Sequence, residues 1–167
     1  MTERMVDRAL SRVRQTPPPR VAVVGAGVEG ESLARWFRGQ GAAVAVHLAR
    51  TAEQVAADPA LARQARVFAD IGADLYLGPD YLKGVPEADI VGVVQSAYTY
   101  KYPMNLAALD AARRNGAPIV TNIGLFLALC PCPVIGITGT NGKTTTTEMT
   151  DAVLRAGGLP VHTGGNI

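Results

Sequence analysis

A chain of 167 residues holds one full domain or one and a fraction, and 48% hydrophobic with 18% charged residues is the make-up of a folded globular protein. A net charge of +2 is too small to mark nucleic acid or an anionic membrane as the main partner. No apolar run approaches the roughly 20 residues that span a bilayer, and the N-terminus carries charges but no apolar signal core, so a cytoplasmic protein is expected.

In chain order, residues 1–14 place Met5, Val6, Ala9, Leu10 and Val13 near helical spacing with arginines between them, which predicts a short amphipathic helix. Its docking site, on its own domain, on a partner or nowhere, is open from the sequence. Thr16-Pro17-Pro18-Pro19 ends it. A β-branched strand over 21–24 then runs into Gly25-Ala26-Gly27-Val28-Glu29-Gly30 and a helix over 31–38. This G-x-G-x-x-G, with a strand before and a helix after, is the fingerprint of a nucleotide-binding βαβ unit. For NAD, the second strand (43–48) should end in a carboxylate that holds the ribose diol. His47 stands there instead, and neutral imidazole offers one acceptor only. The fingerprint therefore points to a nucleotide diphosphate whose ribose is held in another way, and an NAD-dependent oxidoreductase is the weakest reading.

Residues 51–69 read as helix with Pro59 restarting it, 74–77 as a short strand, and 89–94 as a buried strand. Residues 95–103 form a loop beyond that strand's carboxyl end, the edge where open α/β sheets take ligands. Ser96 is a candidate donor to phosphate or uracil there, and Tyr98, Tyr100 and Tyr102 are candidate pocket walls or ordinary loop aromatics. A helix over 104–115, a strand at 119–120 and an apolar helical turn over 123–129 complete the pattern. Cys130 and Cys132 flank Pro131, too close together for an ordinary zinc half-site, and read as reduced thiols in a linker.

Past Pro133, an apolar run (Val134, Ile135, Ile137) predicts a strand over 134–138. It breaks at Gly139, passes Thr140, Asn141 and Gly142, and enters a helix at Lys143, followed by another strand over 159–162. A strand, a glycine loop and a helix N-terminus form an anion site, because the first helical amides lack internal partners. Lys143 would reach the β/γ-phosphates, and the Thr144 hydroxyl would ligate Mg²⁺. Thr144 to Thr147 are poor helix starters on propensity, which suggests that their hydroxyls face a ligand. The general phosphate-loop pattern wants a glycine where Ile137 stands.

The string Ile137-Thr138-Gly139-Thr140-Asn141-Gly142-Lys143-Thr144-Thr145 resembles the ATP loop of the Mur ligase superfamily, which also lacks that first glycine. The resemblance runs from about Arg20 onward and accounts for two different glycine loops in tandem. It implies an α/β protein: residues 1–19 a helix and proline linker, 20–132 a Rossmann-like parallel-sheet domain for a UDP-sugar, and 133–167 the first βαβ unit of a P-loop-type ATP domain. Gly139, Thr140, Asn141, Gly142, Lys143, Thr144 and Thr145 would bind the ATP phosphates. Gly25, Gly27, Val28 and Glu29 would lie by the UDP diphosphate, His47 near uracil, Ser96 near the nucleotide, and Asn166 near the sugar or diphosphate. The ending Gly164-Gly165-Asn166-Ile167, and the segment from Asn122 to Phe126, resemble the branch that adds D-glutamate to UDP-N-acetylmuramoyl-L-alanine. The family more often has aspartate at His47, Ser-Pro-Gly at Ser96-Ala97-Tyr98 and an acid at Gly124.

The implied reaction is ATP- and Mg²⁺-dependent amide ligation through an acyl phosphate. Another ligase of the superfamily (alanine- or diamino-acid-adding, or a folylpolyglutamate synthetase) and a non-catalytic nucleotide-binding module are the alternatives. The superfamily's later magnesium glutamate, modified lysine and amino-acid-binding domain have no counterpart here. An N-terminal portion is therefore expected, inactive alone as a ligase and prone to dimerise through uncovered apolar residues such as Val153 and Leu154.

Overall fold

The computed structural model describes residues 2–97 and 102–165. Two compact units divide the chain, Met1–Leu129 and Cys130–Ile167.

The first unit is built on five short strands: β1 (Arg20–Val24), β2 (Ala43–Leu48), β3 (Asp74–Leu77), β4 (Ile90–Val93) and β5 (Ile119–Val120). All pair in parallel, in the order β3-β2-β1-β4-β5. A parallel sheet is covered on both faces, so its central strands β1 and β4 run apolar rather than alternating, while the edge strand β3 alternates exposed and half-buried residues. β1 shows why. Val21 and Val23 enter one core with Leu33, Phe37, Val44, Val46 and Ile90, while Ala22 and Val24 enter the other with Val85, Val91, Val93, Leu109 and Ala112.

The helices follow their sequence signals. α2 (Val28–Gly39) starts directly after the glycine loop and buries Leu33, Ala34 and Phe37. The helical stretch expected over 51–69 is two helices, α3 (Ala52–Ala57) and α4 (Pro59–Asp70). Thr51 and Gln54 close a capping box on α3, and the Asp58 carboxylate accepts from the Ala60 and Leu61 amides to start α4 at Pro59. A 3₁₀ turn (Gln95–Ala97) follows β4, then α5 (Pro103–Arg114) and α6 (Asn122–Leu129).

The N-terminal helix α1 (Thr2–Val13) docks on its own unit. Val6, Ala9 and Val13 are buried in the same core as Val21 and Phe37. Arg8 and Arg12 donate to the Gly116 carbonyl, at 2.7 and 3.1 Å, and Arg12 also donates to the Asp89 carbonyl. The arginines between the apolar positions therefore end carbonyls at the sheet's amino edge.

The second unit contains α7 (Lys143–Ala156). Residues 134–138 and 159–162, expected as strands, are not strands. A strand exists only through ladder hydrogen bonds to a neighbour, and among the described residues neither segment has one. Val134, Ile135 and Leu159 are exposed accordingly. The 159–163 segment is instead held on α7 by side chains. Asp151 takes Arg155 in a two-pronged ion pair at 2.7 and 3.1 Å, Arg155 donates to the Val161 carbonyl at 2.7 Å, and the Thr163 hydroxyl donates to Asp151. Hydrogen bonds from Arg155, then from Thr163, hold the Asp151 carboxyl below its ordinary pKa.

Ala9 has no exposed surface, so a charge there must enter the core. Ala9→Asp is expected to lower the unfolding free energy by at least about 3 kcal/mol in urea titrations, whereas Asp at the exposed Ser11 costs less than about 1 kcal/mol.

Candidate functional site: two glycine loops before helix N-termini

The strand order reverses direction between β1 and β4. Ligands of open parallel sheets sit at such a switch point, outside the carboxyl ends of the strands. The first glycine loop follows β1 and the 3₁₀ turn follows β4 at that point, and Gly25 packs against Val94 and Ala97. Val24 leads from β1 into Gly25, Ala26 and Gly27, and Val93, its register partner on β4, leads through Val94 into Gln95.

The loop is drawn tight. A Cβ at Gly30 would stand 2.3 Å from the Gly25 carbonyl oxygen, so α2 can approach the loop only without a side chain there. Gly27 precedes the helix at φ 98° and supplies no side-chain cap, and the first intrahelical bond is Glu31 N–H to Gly27 O at 2.9 Å. The amides of Val28, Glu29 and Gly30 are the helix's orphan donors, at the positive end of its dipole. Val28 is 86% exposed beside them. The Glu29 side chain crosses to the other wall, where its carboxylate accepts the Gln95 amide at 2.9 Å. Ser96 is exposed on that turn.

His47 lies at the end of β2 with its side chain buried. Its Nδ1 is 2.6 Å from the Tyr81 carbonyl, which assigns the proton to Nδ1, and the ring stacks on half-exposed Tyr76 at 4.9 Å. Burial, only partly offset by the Tyr81 carbonyl, lowers its pKa from the ordinary 6.5. The Tyr81 hydroxyl donates to Asn105, and Asn105 Nδ2 donates to the Ala97 carbonyl at 3.1 Å. A buried polar chain thus runs from β2 to the 3₁₀ turn. It was not legible from the sequence, because its partners are 34, 24 and 8 residues apart. Tyr102 is exposed, while Tyr98, Tyr100 and Asn166 lie outside the described residues.

In the second unit, Gly142 is the N-cap of α7 at φ 76° and ψ −1°, a left-handed turn with no side-chain cap. Lys143 folds back so that Nζ donates to the Gly139 carbonyl at 2.7 Å. Thr140, Asn141, Thr144 and Thr145 are exposed around it. Thr147 corrects the expectation for the threonine run: its hydroxyl donates to the Lys143 carbonyl at 2.8 Å, as Thr150 does to Thr146 at 2.7 Å. Such back-bonding to the preceding turn satisfies a threonine without a ligand. The Thr146 hydroxyl lies 4.0 Å from where a Cβ at Gly142 would stand. Among the described residues, no three His, Cys, Asp or Glu side chains cluster as a metal site, and no helix is long and apolar enough to cross a membrane. Cys130 and Cys132 are free.

The stretch that holds the G-x-G-x-x-G turn in one unit and the left-handed glycine with its adjoining lysine in the next is similar to curated proteins. A UDP-N-acetylmuramoylalanine–D-glutamate ligase of Symbiobacterium thermophilum is 38% identical over 148 residues, 89% of this chain and 30% of that protein. Namesakes from Desulfatibacillum aliphaticivorans and Clostridium novyi are 30% and 34% identical over 89% and 88% of the chain. Among solved structures, a pseudomurein peptide ligase type C from Methanothermus fervidus is 30% identical over 89% of this chain and 28% of its own, with a TM-score of 0.50. Over the stretch they share, this chain belongs with the Mur-type ligases. No protein-family model matches it. The chain spans about 30% of the length of the curated relatives it matches.

Two outcomes follow from the first unit's geometry. Gly30→Ala pushes a methyl against the Gly25 carbonyl and is expected to cost about 1–3 kcal/mol in denaturant unfolding. His47 titrates below 6.5 when folded, so on acidification the unfolded chain takes up the proton first. Its contribution is full above the ordinary pKa and declines as pH falls below it, by at most about 1.4 kcal/mol per pH unit. Urea midpoints from about pH 7.5 to about pH 5 should show this slope, and His47→Gln should flatten it.

Proposed function

We propose that the chain carries the sugar-nucleotide site and the ATP phosphate loop of an amide ligase of peptidoglycan precursor synthesis, adding D-glutamate to UDP-N-acetylmuramoyl-L-alanine in the cytoplasm. The observation that carries the reading is the second glycine loop. An uncapped helix start, a left-handed Gly142 and Lys143 laid over the Gly139 carbonyl are what a triphosphate tail would meet. The names of the relatives supply the amino acid and the sugar nucleotide.

In this reading the amides after Thr138, through Thr145, face the phosphate oxygens. Lys143 leaves the Gly139 carbonyl for the β/γ-phosphates, one donor bond exchanged for a charge-assisted one. Thr144 would be a ligand to Mg²⁺, which when bound neutralises charge on the transferring phosphoryl group. The γ-phosphoryl would pass from ATP to the substrate's terminal carboxylate with ADP leaving, and the amino-acid nitrogen would attack the acyl phosphate, displacing inorganic phosphate and losing a proton as the amide forms. The chain's part in that step is to hold phosphates and stabilise charge with preset donors. Gly25, Gly27 and the Val28 and Glu29 amides would take the UDP diphosphate, with Ser96 on the facing wall and Asn166 at the sugar or diphosphate. His47, being buried, would act on the uracil side through the Tyr76 ring stacked on it. None of the described residues is assigned to D-glutamate. A Mur-type ligase adding a different amino acid is the second reading, favoured by the 30% identity to the pseudomurein peptide ligase.

Calorimetry on the chain, with UDP-N-acetylmuramoyl-L-alanine and with Mg·ATP in separate titrations, tests this. Lys143→Ala should weaken Mg·ATP by about 10- to 100-fold and leave the sugar nucleotide unaffected. Unchanged ATP affinity in that variant would remove the second loop from the site.

A further inference from the structure

Glu29 is the one acidic side chain that bridges the switch-point crevice among the described hydrogen bonds. It sits in the first turn of α2, beside the three orphan amides, yet its carboxylate reaches the opposite wall and takes the Gln95 amide at 2.9 Å. Its neighbour Glu31 is neutralised by Arg35, Oε1 to Nε 2.8 Å. Among the described ion pairs Glu29 has no cation; its recorded partner is an uncharged N–H. The turn it grips is held at its other end by Asn105, through the Ala97 carbonyl. Gln95 and Ala97 are thus both tied, one by a buried amide side chain and the other by a partly exposed carboxylate.

We propose that Glu29 is an internal latch on the nucleotide site: its carboxylate holds the Gln95 amide, and an arriving diphosphate must displace or repel it. The inference rests on the diphosphate reading of the first glycine loop. The chemistry is crowding of two anions at one place: the carboxylate holds the Gln95 amide, and a diphosphate on the first amides of α2 would stand beside it. A carboxylate and a diphosphate side by side repel each other, and the helix dipole that attracts one attracts both. Opening the latch releases the Gln95 amide to the ligand and frees the 3₁₀ turn at its Gln95 end, while Asn105 keeps its other end in place.

The direct test is Glu29→Gln. Glutamine keeps an oxygen for the Gln95 amide and removes the charge. Titrated with UDP at low salt, this variant should bind about 3- to 10-fold tighter than wild type, and the gap should narrow as salt screens the repulsion. Equal or weaker binding with an unchanged melting temperature overturns the latch, because a merely structural Glu29 could not improve affinity when altered. If neither form binds UDP, the diphosphate reading fails and takes the latch with it, whereas UDP binding without a gain in Glu29→Gln overturns the latch alone; amide exchange tests the hydrogen bond that the latch requires. The Gln95 N–H should exchange at least about ten-fold faster in Glu29→Ala than in wild type; an equal rate overturns it.

Discussion

Both units rest on a helix whose first amides have no partner. A helix normally ends those donors with a Ser, Thr, Asp or Asn side chain, as Thr51 and Asp58 do for α3 and α4. α2 and α7 instead start after glycines at positive φ, Gly27 and Gly142, with no side-chain cap. Omitting a cap costs on the order of 1 kcal/mol. The chain omits it at its two glycine loops, as it does at Tyr102 before α5, but only at the loops does a positive-φ glycine precede the outward donors. The rest of the first unit serves to hold that loop: β1 and β4 fix the crevice, Gly30 lets the helix close on it, and the Tyr81–Asn105 chain sets the facing turn.

Much of this was legible in the sequence, and what was not has a common cause. The buried strands announced themselves by β-branched runs, α4 by Pro59, and both loops by their glycines, because these signals are local. Residues 134–138 carry the same apolar signature as β1, yet form no strand, because pairing needs a neighbour that composition cannot supply. The threonine run looked ligand-facing, but Thr147 satisfies its hydroxyl one turn back. The resemblance implies a place near uracil for His47, and the sequence does not show that its ring is buried. The polar chain through Tyr81 and Asn105 that buries it is a long-range arrangement with no local mark. The Glu29 contact to Gln95, 66 residues away, was invisible for the same reason.

The likeness to Mur-type ligases and the geometry bear on different questions. Identity of 30–38% over 89% of the chain fixes the kinship. It does not distribute roles among residues, and that is where the local physics contributes. Lys143 is exposed on a flexible four-carbon stem, with its ammonium donating to the Gly139 carbonyl. His47 is fixed, neutral and enclosed. Two side chains implied by one resemblance thus fall into different physical classes, a reaching charge and a packed support.

The central claim is that two separate sets of orphan amides receive two different phosphate ligands. Amide NMR of the isotope-labelled chain measures this most directly, by titrating UDP-N-acetylmuramoyl-L-alanine and Mg·ATP one at a time. The account predicts that the sugar nucleotide moves the Val28, Glu29 and Gln95 resonances, and that Mg·ATP moves those of Asn141, Gly142, Lys143 and Thr144, with neither ligand shifting the other set. Both ligands perturbing the same loop, or neither perturbing the amides at the start of α2 and α7, would contradict it.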